Sequence, residues 1–161
     1  MSVNSAGRLL LVEDETLLRG LVREFLVLEN FEVVAAEDGQ AAVDAYEAHG
    51  PFDLVLLDLN LPVLPGVEAC RRIKAINFNQ PFLVCSAAIL ESHVSVLETL
   101  GVTESLGKPY HPVELLNRIR EITAKHEPAP TDVGDPKTWR NDRRRPASPP
   151  AHALSQAHAF D

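Results

Sequence analysis

The stretch Phe52-Asp-Leu-Val-Leu-Leu-Asp58 closes a run of apolar residues with a carboxylate. Uninterrupted apolar residues, without the alternation of a half-exposed strand, are typical of a parallel sheet that is buried on both faces. In such sheets ligands bind beyond the carboxyl ends of the strands. Asp58 is therefore expected at the carboxyl end of a buried strand. A solvated surface acid without a function is a poor interpretation of a carboxylate in that position.

Three further segments, the first two of them apolar, also run into polar residues that can carry chemistry. They are Leu9–Val12, followed by Glu13 and Asp14; Phe82–Cys85, followed by Ser86; and Thr103–Gly107, followed by Lys108 and Pro109. If the strands are parallel, three acids, one hydroxyl and one lysine meet at one edge of the sheet. Taken singly, Ser86 and Lys108 are more simply interpreted as a strand-end serine and a surface lysine, so only the joint arrangement is informative.

Strand-like segments alternate with segments of helical period from residue 8 to residue 125. The predicted strands cover 9–12, 31–36, 53–57, 81–85 and 103–106, and the predicted helices cover 15–29, 38–48, 67–76, 91–100 and 113–125. Asp38 is placed as a helix cap, and Pro112 lies at the start of the last helix. The pattern predicts an α/β fold with a five-stranded parallel sheet, doubly wound in a (βα)5 arrangement with right-handed crossovers.

The chain is expected to form one domain with an extension at each end. Residues 1–7 are predicted to be an N-terminal extension, residues 8–126 the domain, and residues 127–161 a disordered tail that contains proline and arginine clusters. The run Arg143-Arg-Arg145, near Trp139 and Arg140, could contact nucleic acid or a protein groove, although a solubilising tail is the simpler interpretation.

The net charge of −8 is carried by the predicted domain. Residues 1–126 hold 10 Lys/Arg and 18 Asp/Glu, whereas residues 127–161 hold 5 of each. An acidic domain argues against DNA binding through its surface. No apolar run approaches the roughly 18 residues of a membrane span, and the first residues do not resemble a secretion signal. We therefore expect a cytoplasmic location without membrane contact, and we interpret Cys70 and Cys85 as small buried apolar residues.

The converging acids suit Mg²⁺, which prefers oxygen ligands and usually keeps several waters. Asp14 and Asp58 are each expected to supply one oxygen, and the backbone carbonyl of Asn60 another. Glu13 is expected to act through a bound water. Two carboxylates ~4 Å apart repel by about 4 kcal/mol at an effective dielectric constant of 20, so the cluster needs a cation, a proton or the lysine.

An aspartate carboxylate at such a site can attack phosphorus and form an acyl phosphate. Phosphoryl transfer depends mainly on in-line positioning and charge compensation. Asp58 is the expected acceptor. Lys108 would pair with the phosphoryl oxygens, and Ser86 would donate a hydrogen bond to another of them.

These motifs resemble those of response regulator receiver domains. The resemblance rests on Leu11-Val-Glu-Asp-Glu15, Asp53-Leu-Val-Leu-Leu-Asp-Leu-Asn-Leu-Pro62 with Pro65-Gly66, Ser86-Ala87 and Lys108-Pro109. Their order and spacing also match, with 44 residues from Asp14 to Asp58, 28 more to Ser86 and 22 more to Lys108. The resemblance covers about residues 7–125 and implies the flavodoxin-like fold of receiver domains.

The resemblance implies a single-domain response regulator of a two-component system, with Asp58 as the phosphoacceptor. Glu13 and Asp14 would be the acidic pair, and Lys108, joined to Pro109 by a cis bond, would contact the phosphoryl group. The implied phosphoryl donor is a sensor histidine kinase or a histidine phosphotransfer protein. The signal would then pass to an output protein that the sequence does not identify, or along a phosphorelay, from a monomer or weak dimer.

Two surfaces are expected to bind these partners. The exposed side of the first helix would serve kinase recognition, and the face of the fourth helix, fifth strand and fifth helix would serve signalling. The candidate residues are Glu15, Arg19 and Arg23 on the first surface and His93, Glu98 and Arg118 on the second.

Ser105 departs from the family pattern, which often has Tyr or Phe three residues before the lysine as a rotating switch. Tyr110 lies on the other side of Pro109 and cannot take that position. Our hypothesis is that phosphorylation shifts the backbone after Ser86, together with the fourth helix, without a buried aromatic rotamer. The small residue Ala87 would leave room for such a movement.

Three other functions are compatible with parts of the pattern. A receiver-like adaptor that binds partners without phosphorylation is the main alternative, although the intact acids, hydroxyl and lysine argue against it. A phosphatase of the haloacid-dehalogenase type would need an Asp-x-Asp motif after the first strand, whereas Asp58 ends the third. A flavin-binding domain would need a phosphate loop after the first strand, which the sequence lacks.

Overall fold

The computed structural model describes residues 4–126. The predicted tail, with Trp139, Arg140 and the run from Arg143 to Arg145, lies outside the described residues. The helices and strands follow each other as β1 (Gly7–Val12), α1 (Thr16–Leu28), β2 (Phe31–Ala36), α2 (Gly39–His49), β3 (Leu54–Leu57), α3 (Gly66–Ile76), β4 (Phe82–Ser86), α4 (Glu91–Thr99), β5 (Ser105–Gly107) and α5 (Pro112–Lys125).

The five strands form one parallel sheet in the order β2-β1-β3-β4-β5. The predicted α/β fold with a five-stranded parallel sheet is confirmed. The direction in which successive strands are added reverses between β1 and β3. Polar side chains at the ends of these two strands therefore stand next to each other, at the position where open α/β sheets bind ligands.

Each face of the sheet is covered by its own core cluster, because successive strand residues point to opposite sides. One face packs residues such as Leu10, Val55 and Val84 against α2, α3 and α4. The other packs residues such as Leu9 and Leu56 against α1 and α5. Burying one such side chain contributes about 2 kcal/mol. This two-sided burial explains why the strands are continuously apolar in sequence.

The predicted helices and strands match the observed ones to within two residues at each end. β1 begins at Gly7, two residues earlier than predicted, because Gly7 and Arg8 already pair with Phe31 and Glu32 of β2. Asp38 caps α2 by accepting from Ala41 N at 2.7 Å, as its position predicted.

Candidate functional site

The acids of the site follow β1 and β3, which are neighbours in the sheet. Val12 pairs with Leu57, so Glu13 and Asp58 leave the sheet side by side. One carboxylate oxygen from each of Glu13, Asp14 and Asp58 lies within 4.8 Å of the others. The structure thus brings together the three acids that the sequence predicted to converge.

Lys108 reaches this cluster from the end of β5. Its backbone N–H donates to Ser86 O at 3.1 Å, which holds the chain beside β4. Its ammonium donates to Glu13 Oε2 at 2.5 Å and to Asp58 Oδ2 at 2.8 Å. Burial opposes the charge of this ammonium, but hydrogen bonds to Asp58 and Glu13, and their charges, outweigh that effect and raise the pKa of Lys108 above its ordinary value. Lys108 therefore stays protonated and bridges the two acids.

One ammonium does not balance three carboxylates. Glu13 and Asp58 are only 4% and 6% exposed, whereas Asp14 is exposed. Burial raises the pKa of the Glu13 carboxyl above its usual value in spite of the hydrogen bond and positive charge of Lys108. The site therefore favours the arrival of a further positive charge.

Ser86 and Asn60 lie beside Asp58. Asn60 N donates to Asp58 Oδ1 at 3.1 Å, and Asn60 Nδ2 lies 3.5 Å from Ser86 Oγ. Ser86 is 2% exposed, and its hydroxyl donates to Ala88 O at 3.2 Å. The predicted hydroxyl is thus close to the acids, and the orientation of the Asn60 carbonyl toward a metal stays a prediction.

The loop from Asp58 to Gly66 is held by a close backbone approach. Gly66 opens α3, and a Cβ at this position would overlap the carbonyl oxygen of Asp58. Within the same loop, Leu64 N donates to Pro62 O at 2.7 Å around Val63, whose φ is 66°. Such a γ-turn is unfavourable for a β-branched residue. The sequence analysis placed Pro65-Gly66 among the family motifs but gave no sign of this contact.

Ser105 is exposed and lines a cavity of about 120 Å³ together with apolar residues that include Val84 and Leu97. Tyr110 instead packs against the core cluster that contains Cys85, and burial raises the pKa of its hydroxyl. Tyr110 also lines a cavity of about 320 Å³ beside Lys108. An aromatic ring therefore flanks the site from the far side of Pro109, a role that the sequence analysis did not assign.

Arg19 occupies a different place from the one expected for a kinase-recognition residue. It is half-buried, and its Nη1 donates to Glu13 O at 2.8 Å and to Asp14 O at 3.3 Å. Glu15 and Arg23 are exposed, as the predicted recognition surface requires. The sequence spacing placed Arg19 on α1 but could not show that its side chain turns back toward the acids.

Two other expectations concern the Lys108–Pro109 bond and the two cysteines. The bond between Lys108 and Pro109 is cis, as predicted. Cys70 and Cys85 are buried free thiols, and burial raises the pKa of each to about 12. They are the small apolar core residues that the sequence predicted.

A parallel α/β sheet with acids, a hydroxyl and a lysine at its carboxyl edge defines the class of receiver-like domains. A family model described as response regulator receiver domain matches residues 9–120. The chain therefore belongs to the response regulator receiver family of two-component systems, as its motifs predicted.

Curated relatives include both short and long proteins. The chain is 35% identical over 117 residues to the chemotaxis protein CheY of Bacillus subtilis, covering 72% of this chain and 97% of that protein. It is 32% identical to the alkaline phosphatase synthesis transcriptional regulatory protein SphR of Synechococcus elongatus, covering 82% of this chain and 54% of that protein. The chain thus spans about half the length of several relatives.

Solved receiver domains share the fold. The non-phosphorylated HemR receiver domain from Leptospira biflexa is 31% identical with a TM-score of 0.69, covering 76% of this chain and 98% of that one. The receiver domain of sensor histidine kinase PA1611 from Pseudomonas aeruginosa, solved with a magnesium ion coordinated in its active site cleft, is 28% identical with a TM-score of 0.66, covering 73% and 98%.

Between residues 4 and 126, no helix is long and apolar enough to cross a bilayer.

Proposed function

We propose that the chain is a response regulator that accepts a phosphoryl group on Asp58 from a sensor histidine kinase or a histidine phosphotransfer protein. The observation that carries the proposal is the bridge from Lys108 to Asp58 and Glu13, with Asp14 close by. A buried aspartate is paired with a lysine ammonium, 2.8 Å from its Oδ2, on the edge of the sheet where ligands enter.

The reaction forms a bond between a carboxylate oxygen of Asp58 and phosphorus. The bond from phosphorus to the donor's histidine nitrogen breaks, and its electron pair stays on the imidazole. Lys108, already 2.8 Å from Asp58 Oδ2, can follow the new negative charge by pairing with a phosphoryl oxygen. Ser86 can turn its hydroxyl from Ala88 O to another phosphoryl oxygen, which makes these two side chains sensors of the modification.

The donor set fits Mg²⁺, since carboxylate oxygens of Asp14 and Asp58 are hard ligands and Glu13 can bind through water. The backbone carbonyl of Asn60 would complete the protein's contribution. Bound there, the cation would offset the charge shared by the acids and the incoming phosphoryl group. Because burial already raises the pKa of Glu13, this compensation is expected to matter before phosphorylation as well as after it.

Partner binding completes the proposed function. Glu15 and Arg23 present an exposed surface on α1 to the phosphoryl donor. On the signalling face of α4, β5 and α5, Arg118 is tied to Glu104 and Glu121 by ion pairs. His93 accepts from Leu90 N at 3.4 Å, so Glu98 is the freest of the three candidates for an output protein. We propose a cytoplasmic monomer or weak dimer that acts without membrane contact, with any contact to nucleic acid confined to the tail.

Signal transmission is proposed to proceed without an aromatic switch at Ser105. Because this residue is exposed and its cavity is only about 120 Å³, movement of Ser86 would be transmitted through the backbone to α4. The protein would thus relay its state by a change of loop position rather than by rotation of an aromatic ring. A Ser105→Ala variant is therefore expected to respond to phosphorylation as the native protein does.

The test is incubation with Mg²⁺ and a small acyl phosphate or phosphoramidate, which needs no kinase. The intact mass is expected to rise by one phosphoryl group in the native protein and in an Asp44→Asn control, whose altered acid is exposed on α2. Asp58→Asn, or a chelator, is expected to prevent the modification. An unmodified native protein would favour the adaptor that works without phosphorylation.

A further inference from the structure

We infer that Arg19 is a positioning residue that holds the acidic loop in the geometry required for cation binding. The inference rests on the proposed function, because it assigns Arg19 to the same site. It differs from the expected role of α1 in kinase recognition, since it requires no partner protein.

The geometry places a single guanidinium nitrogen between two consecutive carbonyl groups. Arg19 Nη1 donates to Glu13 O at 2.8 Å and to Asp14 O at 3.3 Å. These carbonyls belong to the two residues whose carboxylates meet Asp58. A donor that fixes both peptide planes therefore restricts the directions in which the two carboxylates can point.

No side-chain cap fixes the acidic loop where it enters α1. Glu15 is the N-cap of α1, but its side chain makes no capping hydrogen bond, and the first turn of α1 contains no acid. Instead, Glu15 N donates to Glu13 Oε1 at 3.3 Å. Arg19, one turn into the helix, reaches back and donates to the carbonyl oxygens of the two residues before the N-cap. This contact ties the acidic loop to α1, although it does not cap the helix.

The charge of Arg19 and its hydrogen bonds are expected to have opposite effects on the affinity for Mg²⁺. A fixed positive charge near the acids repels Mg²⁺, so removing it should tighten Mg²⁺ binding if charge alone mattered. If Arg19 positions the loop, removing it should weaken binding, because groups that orient metal ligands typically contribute roughly tenfold or more to affinity. The sign of the change therefore decides between the two roles.

The main experiment is a Mg²⁺ titration of the unphosphorylated full chain, followed by calorimetry and by backbone amide shifts. Arg19→Met is expected to weaken binding roughly tenfold, and Arg19→Lys, which keeps a donor and the charge, is expected to recover part of the loss. Arg23→Met removes the same charge from an exposed position one turn further along α1. Its Mg²⁺ affinity is expected to be unchanged, since the titration contains no kinase.

Hydrogen exchange without metal gives a second measurement that is independent of Mg²⁺ and of phosphorylation. The exchange rate of the Glu15 amide is expected to be higher in Arg19→Met than in the native protein. In Arg23→Met it is expected to equal the native rate. Unfolding curves identify any variant that loses its fold, in which case Arg19→Lys replaces it in both experiments.

The inference is overturned if Arg19→Met binds Mg²⁺ as tightly as the native protein, or more tightly, and the Glu15 amide keeps its protection. Failure of the proposed function would look different. In that case the native protein would bind no Mg²⁺ or accept no phosphoryl group, and the exchange rate at Glu15 would still decide whether Arg19 holds the loop.

Discussion

Two buried polar clusters lie at opposite edges of the sheet and are built on contrasting principles. At the amino edge, Gln80 is 1% exposed; its Oε1 accepts from Tyr46 OH at 2.8 Å and from Phe52 N at 3.1 Å, and its Nε2 donates to Pro81 O at 3.0 Å. This Gln80 network is neutral and its hydrogen bonds are satisfied. At the carboxyl edge, Lys108 bridges two of three acids and leaves an excess of negative charge.

The contrast between the two clusters indicates that one serves the stability of the domain and the other its function. A buried neutral network with its hydrogen bonds made favours a unique packing, whereas buried excess charge costs free energy unless a partner compensates it. The amino edge therefore contributes stability, whereas the carboxyl edge carries an excess of negative charge that the proposed cation would offset. Three substitutions test this contrast, in order of the size of the effect expected on stability.

Gln80→Met is expected to have the largest effect. Methionine is similar in length but leaves Phe52 N and Tyr46 OH without their buried acceptor, so we expect a loss of about 3 kcal/mol in the free energy of unfolding. Chemical denaturation measures it. The control Gln40→Met alters a partly exposed glutamine of α2 whose side-chain hydrogen bonds are to the exposed residues Asp44 and Arg72. Because water can replace these bonds, it is expected to change stability by less than about 0.5 kcal/mol. Equal effects of the two substitutions would show that the network is not a source of stability.

Gly66→Ala probes the loop that connects Asp58, the proposed phosphoacceptor, to α3. The new Cβ would overlap the carbonyl oxygen of Asp58, so the loop must move, with an expected loss of about 2 kcal/mol and weaker Mg²⁺ binding. Gly20→Ala is the matched control, because a Cβ at Gly20 meets nothing within 4 Å. It is expected to stabilise α1 by up to about 1 kcal/mol. A harmless Gly66→Ala would refute the importance of this close approach.

Glu13→Gln is expected to act in the opposite direction and by a smaller amount. Without metal, the neutral amide removes a buried charge that the site disfavours, so we expect a gain of about 1 kcal/mol. Saturating Mg²⁺ should stabilise the native protein more than the variant. The difference between their free energies of unfolding should therefore become smaller or change sign. Thermal unfolding with and without Mg²⁺ measures both effects. A loss of stability in the metal-free variant would mean that the ion pair with Lys108 outweighs the cost of burying Glu13.

The acids at the strand ends could be predicted from sequence because parallel strands carry their terminal residues to one edge. Asp58, Glu13 and Asp14 followed directly from that rule. Other contacts depend on tertiary packing that has no local signal. Gln80 is an ordinary polar loop residue in sequence, and its network requires three separate segments to meet.

The same limit applies to Arg19 and Tyr110. The helical period placed Arg19 on an exposed side of α1, but the direction of a long side chain is set by nearby carbonyl groups rather than by periodicity. Tyr110 was considered only for the role that Ser105 does not fill, whereas the fold packs its ring beside the site through the turn at Pro109.

The central claim, that Asp58 is the phosphoacceptor, is tested most directly by locating the phosphoryl group in the modified protein. After reaction with a small phosphoryl donor and Mg²⁺, peptide mapping by tandem mass spectrometry is expected to find the group on Asp58 alone. Modification of Asp14 or Ser86 instead, or modification that persists in Asp58→Asn, would contradict the account.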